Sequence, residues 1–152
     1  MKVREIMTSD VVVAAPDTSV NTAAQLMGKG SISGVPVVDA NGRVVGIVSE
    51  LDLIVRNARF EPPAFFQILD GRIPLETPAH YRKRLRHMLG TEVRDVMTEE
   101  VVSVGPDDDV EALADLMVKK RVNPVPVIEG GRLVGIVSRA DIIRMMARDL
   151  AD

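Results

Sequence analysis

The sequence repeats itself, and this limits the possible folds more than any other feature. Residues 3–39 align with 93–129 without a gap, with 16 identities in 37 columns. After one residue is dropped in a turn, residues 42–54 align with 131–143, with 9 identities in 13 columns. The shared pieces include Met7-Thr8 and Met97-Thr98, Pro16-Asp17 and Pro106-Asp107, Val35-Pro36-Val37 and Val125-Pro126-Val127, and the strings beginning at Gly46 and Gly135. The 152-residue chain is therefore two copies of one unit. A unit of roughly fifty residues buries too little apolar surface to be stable alone. The two copies must complete each other.

Each copy has the same local signals. Residues 11–13 are a β-branched run that predicts a strand. Pro16-Asp17-Thr18 and Pro106-Asp107-Asp108 mark turns before helices, and Asp108 with Glu111 has capping-box spacing. Val20, Ala23, Ala24 and Met27 fall on one helical face, as do Val110, Leu113, Ala114 and Met117. Two further strands follow, over 35–38 and 44–48, joined by Asn41-Gly42 in one copy and Gly130-Gly131 in the other. Ser49 and Ser138 open a last helix. The unit reads β-α-β-β-α. Its strands are apolar at most positions, so both sheet faces need cover. The expected architecture is α/β (α+β): two repeats packed sheet to sheet as a pseudo-two-fold pair, helices outside, with two related clefts at the seam. The expected division is repeat one over 1–58, a connector over 59–90 and repeat two over 91–152.

The connector differs in kind. It holds all four aromatics (Phe60, Phe65, Phe66, Tyr81) and both histidines (His80, His87). Over 55–92 seven basic residues face four acidic ones, against a net charge of −3 for the whole chain. Its basic stretch from Tyr81 reads as a helix with Leu85, Met88 and Leu89 turned inward, or as a nucleic-acid patch. Phe65 and Phe66 either cap the core or form a dimer contact. A mildly acidic chain with 3% aromatics is a poor nucleic-acid binder overall. Cysteine is absent, which excludes disulfides, thiolate metal sites and cysteine nucleophiles. No signal peptide or membrane-length apolar run is visible, so a cytoplasmic protein is expected.

The chemistry-bearing string is Gly46-Ile47-Val48-Ser49-Glu50-Leu51-Asp52, repeated as Gly135-Ile136-Val137-Ser138-Arg139-Ala140-Asp141. Ser stands at a helix start, where orphan N–H groups and the helix dipole favour an anion. Asp follows three residues on, with two acceptor oxygens suited to a vicinal diol. Phosphate and ribose one helical turn apart describe a nucleotide. Ser-x-x-Asp is also close to a capping box, which needs no ligand. Catalytic signals are thin: there is no His-Glu-x-x-His, cysteine pair or Gly-x-Ser-x-Gly. The run Asp107-Asp108-Asp109 is explained as an acidic first helical turn before it is read as a cation site.

The ordered set of motifs resembles the CBS domain family, named from cystathionine beta-synthase, in the tandem form called a Bateman module. The resemblance rests on Val3–Thr8 and Val93–Thr98, the Pro-Asp turns, the Val-Pro-Val strands and the two Gly-Ile-Val-Ser-x-x-Asp strings. It implies a regulatory, non-enzymatic module that binds AMP, ADP, ATP or S-adenosylmethionine and often pairs into dimers. Carried over by position, Asp52 and Asp141 are the expected ribose binders, and Ser49 and Ser138 the phosphate binders. Ser33-Gly34 and Asn123-Pro124 are the expected adenine-side walls. Thr8 and Val12, with Thr98 and Val102, are expected to line each cleft from the opposite repeat. Val12, Val102 and Ile32 also have a plain reading as core. Arg139 and the Lys119-Lys120-Arg121 run predict stronger polyphosphate binding in the Ser138/Asp141 cleft. The expected partners are an adenosyl ligand, a second copy of the module and an effector protein. The alternatives are a structural dimerisation module without ligand, or nucleic-acid binding through the connector.

Overall fold

The computed structural model describes residues 1–57, 65–68, 71–74 and 77–150, with side chains described at 1–55, 77–83 and 90–150. In chain order the elements are α1 (Val20–Gly30), β1 (Gly34–Val38), β2 (Val44–Ser49) and α2 (Glu50–Asn57) in the first repeat. The connector adds β3 (Phe65–Ile68), β4 (Gly71–Pro74) and α3 (Pro78–Leu89). The second repeat holds α4 (Val93–Val96), α5 (Val110–Lys120), β5 (Val125–Glu129), β6 (Arg132–Val137) and α6 (Arg139–Asp149). A 3-10 turn at Val3–Glu5 is the first-repeat counterpart of α4.

Each repeat is built on one antiparallel hairpin, β1–β2 or β5–β6. The registers match, including a bulge after Val37 and after Val127. Gly42, Gly130 and Gly131 take positive φ in the hairpin turns, as the sequence predicts. Ser19 caps α1, its hydroxyl accepting from the Thr22 N–H at 3.0 Å. The matching capping box in the second copy is not formed. The N-cap there is Asp109, and Asp108 instead accepts from the Gly105 N–H at 2.8 Å. That bond holds the turn before the helix, which uses up the Asp108 carboxylate locally.

The expected first strand of each unit is a second correction. Residues 11–13 and 101–103 form no strand, and pairing is reduced to single parallel bridges, Ala14 with Val37 and Val104 with Val127. Val12 and Val13 are 41% and 44% exposed, because this stretch runs along a cleft rim before it meets the sheet. A β-branched run reads the same in either setting.

The buried core falls into two clusters, and the repeats exchange their leading segments to build them. Val93 and Val96 join Val20, Met27, Val35, Val37 and Val48 of the first repeat. Val3 joins Leu113, Met117, Val125, Val127 and Val137 of the second. Thr8 pairs with Ile136, and Thr98 with Ile47, at 2.9–3.0 Å in both directions. Gly46 and Gly135 make room for this exchange: a Cβ on Gly135 would stand 2.5 Å from Met7 Sδ, and one on Gly46 would likewise strike Met97. The acidic run is spent on the same docking. Asp109 pairs with Lys2 at 2.8 Å and Asp107 with Arg4 at 2.6 Å, so these carboxylates precede α5 as straps instead of forming its first turn.

The basic stretch from Tyr81 does lie in a helix, α3, and Phe65 and Phe66 lie in β3. The hairpin β3–β4 gave no signal that was read from sequence. The expected inward packing of Leu85, Met88 and Leu89, and the role of the aromatic pair, lie outside the described side chains. Among the described residues no helix is long and apolar enough to cross a membrane.

Candidate functional site

Two clefts open at the seam between the repeats. The Asp141 cleft has a volume of about 540 Å³ and the Asp52 cleft about 460 Å³. Both fall within the size range of small-molecule sites, roughly 300–1,000 Å³. Ser49, Asp52, Thr98 and Val102 line the Asp52 cleft. Ser138, Asp141, Thr8, Val12 and Gly34 line the Asp141 cleft. Ser33, Asn123, Pro124 and Arg139 line both. All the sequence-expected site residues therefore face one cleft or the other. Val12 and Val102 are cleft wall, and Ile32 is both, lining the Asp141 cleft while packing against the first repeat's core.

The segment exchange creates this arrangement. Each leading segment pairs with β2 or β6 of the other repeat and then runs past the tip of that repeat's last helix. Thr98 is thus brought beside Asp52, and Thr8 into the cleft of Asp141. Across the seam Gly34 abuts Pro124: a Cβ at Gly34 would lie 2.5 Å from Pro124 Cδ. The two clefts share this wall.

At each helix tip the capping box and the cleft coexist. Ser49 donates to Asp52 Oδ2 from its N–H at 2.8 Å and from its hydroxyl at 3.1 Å. Ser138 does the same to Asp141 Oδ2 at 2.6 and 2.9 Å. One carboxylate oxygen is therefore committed to the helix start. The expectation that both oxygens face a diol is corrected: the cleft is offered Oδ1. Among the described residues this oxygen of Asp52 meets only the Thr98 hydroxyl, at 3.5 Å, and that of Asp141 is ion-paired with Arg144. The expected phosphate role of the serines is narrowed as well, because their protons already serve the carboxylates. The next N–H along is also engaged, Glu50 to the Ser33 carbonyl at 3.0 Å and Arg139 to Asn123 Oδ1 at 2.9 Å. Leu51 and Ala140, one position on, line the clefts.

The charge placement overturns another expectation. Arg121 does not serve the Asp141 cleft. It opens into the Asp52 cleft, and its counterpart Ser31 opens into the Asp141 cleft. Both residues terminate helices in the left-handed conformation, with φ of 54° and 49°, and that reversal turns them across the seam. The predicted polyphosphate preference of the Ser138/Asp141 cleft loses its basis. Lys119 pairs with Asp115 at 3.1 Å and lines neither cleft.

Sequence reasoning missed several lining residues. Asp10 and Glu100 occupy equivalent positions in the two clefts, two residues after Thr8 and Thr98. An acid recurring there in both copies was the available signal. Arg144 was missed too, although its three-residue spacing from Asp141 on a helix announces a contact. The Ser33 hydroxyl is buried at the common wall and has no hydrogen-bond partner among the described residues. Among the described residues no group of three or more His, Asp or Glu side chains is placed to hold a metal ion.

Comparison with known proteins agrees with the paired architecture. The family model for the CBS domain matches residues 3–58 and again 93–148. The uncharacterised protein MJ1426 of Methanocaldococcus jannaschii is 33% identical over 96% of this chain and 91% of its own length. A crystal structure of the Arabidopsis thaliana protein CBSX2 in complex with AMP superposes with a TM-score of 0.79, at 26% identity over 97% of each chain. The CBS-domain protein ATU1752 of Agrobacterium tumefaciens superposes with a TM-score of 0.72, at 29% identity over 96% of this chain and 99% of that one. With two matched repeats, each completing the other's core with its leading segment, the chain belongs to the CBS domain family and carries its two CBS repeats as a tandem pair.

Proposed function

We propose that the chain is a regulatory module that binds an adenosine-containing ligand of the AMP, ADP or ATP class in the clefts between its repeats. The observation that carries this reading is the outward oxygen of Asp52. It is a carboxylate acceptor with no donor closer than 3.5 Å among the described residues, held at a cleft of nucleoside size. A ribose diol supplies the missing donors. Ile47, Val102 and Val122 offer the apolar wall that a purine needs in repeats that contain no aromatic ring. The unpartnered Ser33 hydroxyl supports the same reading, since a buried polar group left unpaired costs about 1–3 kcal/mol that a bound ligand recovers. CBSX2, similar over nearly its whole length, is a protein solved with AMP. S-adenosylmethionine remains in the same ligand class, as a nucleoside without phosphate.

In this reading Asp52 and Asp141 receive the ribose, with Thr98 and Thr8 beside them. Phosphate is held by the arginines at the seam and by the Leu51 and Ala140 N–H groups, one position beyond those already engaged. Because the walls of each cleft come from both repeats, a ligand favours one relative arrangement of the repeats and so alters the exposed surface. That surface includes Ile54 and Leu51 on α2 and Ile143 and Met146 on α6, which are 54–70% exposed and support pairing with a second copy or an effector.

Thermal denaturation tests the proposal. A ligand at one hundred times its Kd stabilises the folded state by about 2.7 kcal/mol, or a Tm rise of about 5–10 °C for a domain this size. AMP or ATP at millimolar concentration is expected to give that rise, and the Asp52→Asn, Asp141→Asn double variant to lose it. No rise with AMP, ATP or S-adenosylmethionine favours a purely structural pairing module.

A further inference from the structure

The two clefts are built from equivalent positions with unequal residues, and two differences point the same way. Arg144 has no counterpart in the first repeat, where Val55 occupies its place. Its guanidinium takes Oδ1 of Asp141, and Ser138 already takes Oδ2. Both oxygens of Asp141 are therefore engaged, whereas among the described residues Oδ1 of Asp52 is open but for the 3.5 Å contact with Thr98. The second difference is the crossed helix ends: Arg121 faces the Asp52 cleft and Ser31 the Asp141 cleft. At the seam Arg139 lines both clefts, so the two sites share one guanidinium. Neither Arg121 nor Arg139 has an ion-pair partner among the described residues. The acids that share these spaces, Glu50 in both clefts with Glu100 or Asp10, are matched between them.

Resting on the reading of the clefts as nucleotide sites, we infer that they fill in order and with negative coupling. A nucleoside di- or triphosphate enters the Asp52 cleft first, its ribose on the open Asp52 oxygen and its phosphates on Arg121 and Arg139. The Asp141 cleft fills second. A sugar hydroxyl there must displace a charge-assisted bond, which is stronger than a neutral one. Its share of Arg139 is also reduced once a phosphate in the first cleft has drawn that guanidinium over. The preference between clefts therefore grows with ligand charge and shrinks with salt.

Isothermal titration of the full chain with AMP and with ATP tests this. The wild type is expected to show two sites differing about tenfold in Kd, with a wider gap for ATP than for AMP. Arg121→Ser, which installs the residue of the other repeat, is expected to weaken the tighter site about tenfold for ATP and less for AMP. Arg144→Val, again the residue of the other repeat, is expected to strengthen the weaker site about three- to tenfold, with Arg144→Gln as the alternative if the valine variant does not fold. Asp52→Asn should remove the tighter site and leave the remaining one stronger than in the wild type. Equal sites, or a weaker second site in both Arg144 variants, would overturn the ordering while leaving nucleotide binding intact. No binding of AMP or ATP to the wild type would overturn the nucleotide reading itself, and the ordering with it.

Discussion

Asp52 and Asp141 each join a helix start to a cleft through a single carboxylate. Replacing Asp141 by Ala removes the acceptor that holds the Ser138 N–H and hydroxyl, and should cost about 1 kcal/mol of stability in urea denaturation. Arg121 makes a sharper test, because stability and binding should move in opposite directions. Its left-handed φ of 54° is one that glycine adopts without strain. Arg121→Gly should therefore stabilise the fold by up to about 1 kcal/mol while weakening ATP binding in the Asp52 cleft. A loss of both would mean that the side chain is needed for folding. Gly34 sits at the tightest point of the seam, where a Cβ would meet Pro124 Cδ at 2.5 Å and the Val48 carbonyl at 2.9 Å. Neither neighbour is the free end of a flexible chain, so Gly34→Ala should destabilise by about 1–3 kcal/mol.

Among the elements, the short leading segments tie the molecule together. Val3 is fully buried in the second repeat's core, so Val3→Ala should cost about 2 kcal/mol through lost transfer energy and a residual cavity. The strap beside it is electrostatic. Lys2 holds the Asp109 carboxyl below its ordinary range through a hydrogen bond and direct attraction, and Asp109 in turn raises the lysine. The aspartate's contribution is present above the ordinary carboxylate pKa and is lost as pH falls through the lowered value. The lysine's contribution is present below its ordinary pKa and is lost as pH rises through the raised one. Exchange protection of the Val3 amide, which donates to the Asp108 carbonyl at 3.0 Å, should therefore decline in strong acid and in strong alkali relative to the Leu113 amide. A flat ratio across pH would remove the strap from the account.

At the scale of the whole molecule, duplication made the hairpins, the helix ends and the Ser-x-x-Asp tips legible, because each signal was written twice. Local pattern could not say which repeat a segment docks on. Val3 and Val93 look like part of the units they precede, yet each fills the other unit's core. The crossing of Arg121 and Ser31 was hidden for the same reason, since their position past a helix end says nothing about which cleft lies beyond. The run at residues 11–13 misread as a strand because its branched side chains suit a cleft rim as well as a sheet. Crystals grown with millimolar AMP give the most direct measurement of the central claim. The account predicts a ribose within hydrogen-bonding distance of the outward Asp52 oxygen and phosphate against Arg121 or Arg139. Vacant clefts, or AMP bound elsewhere on the surface, would contradict it.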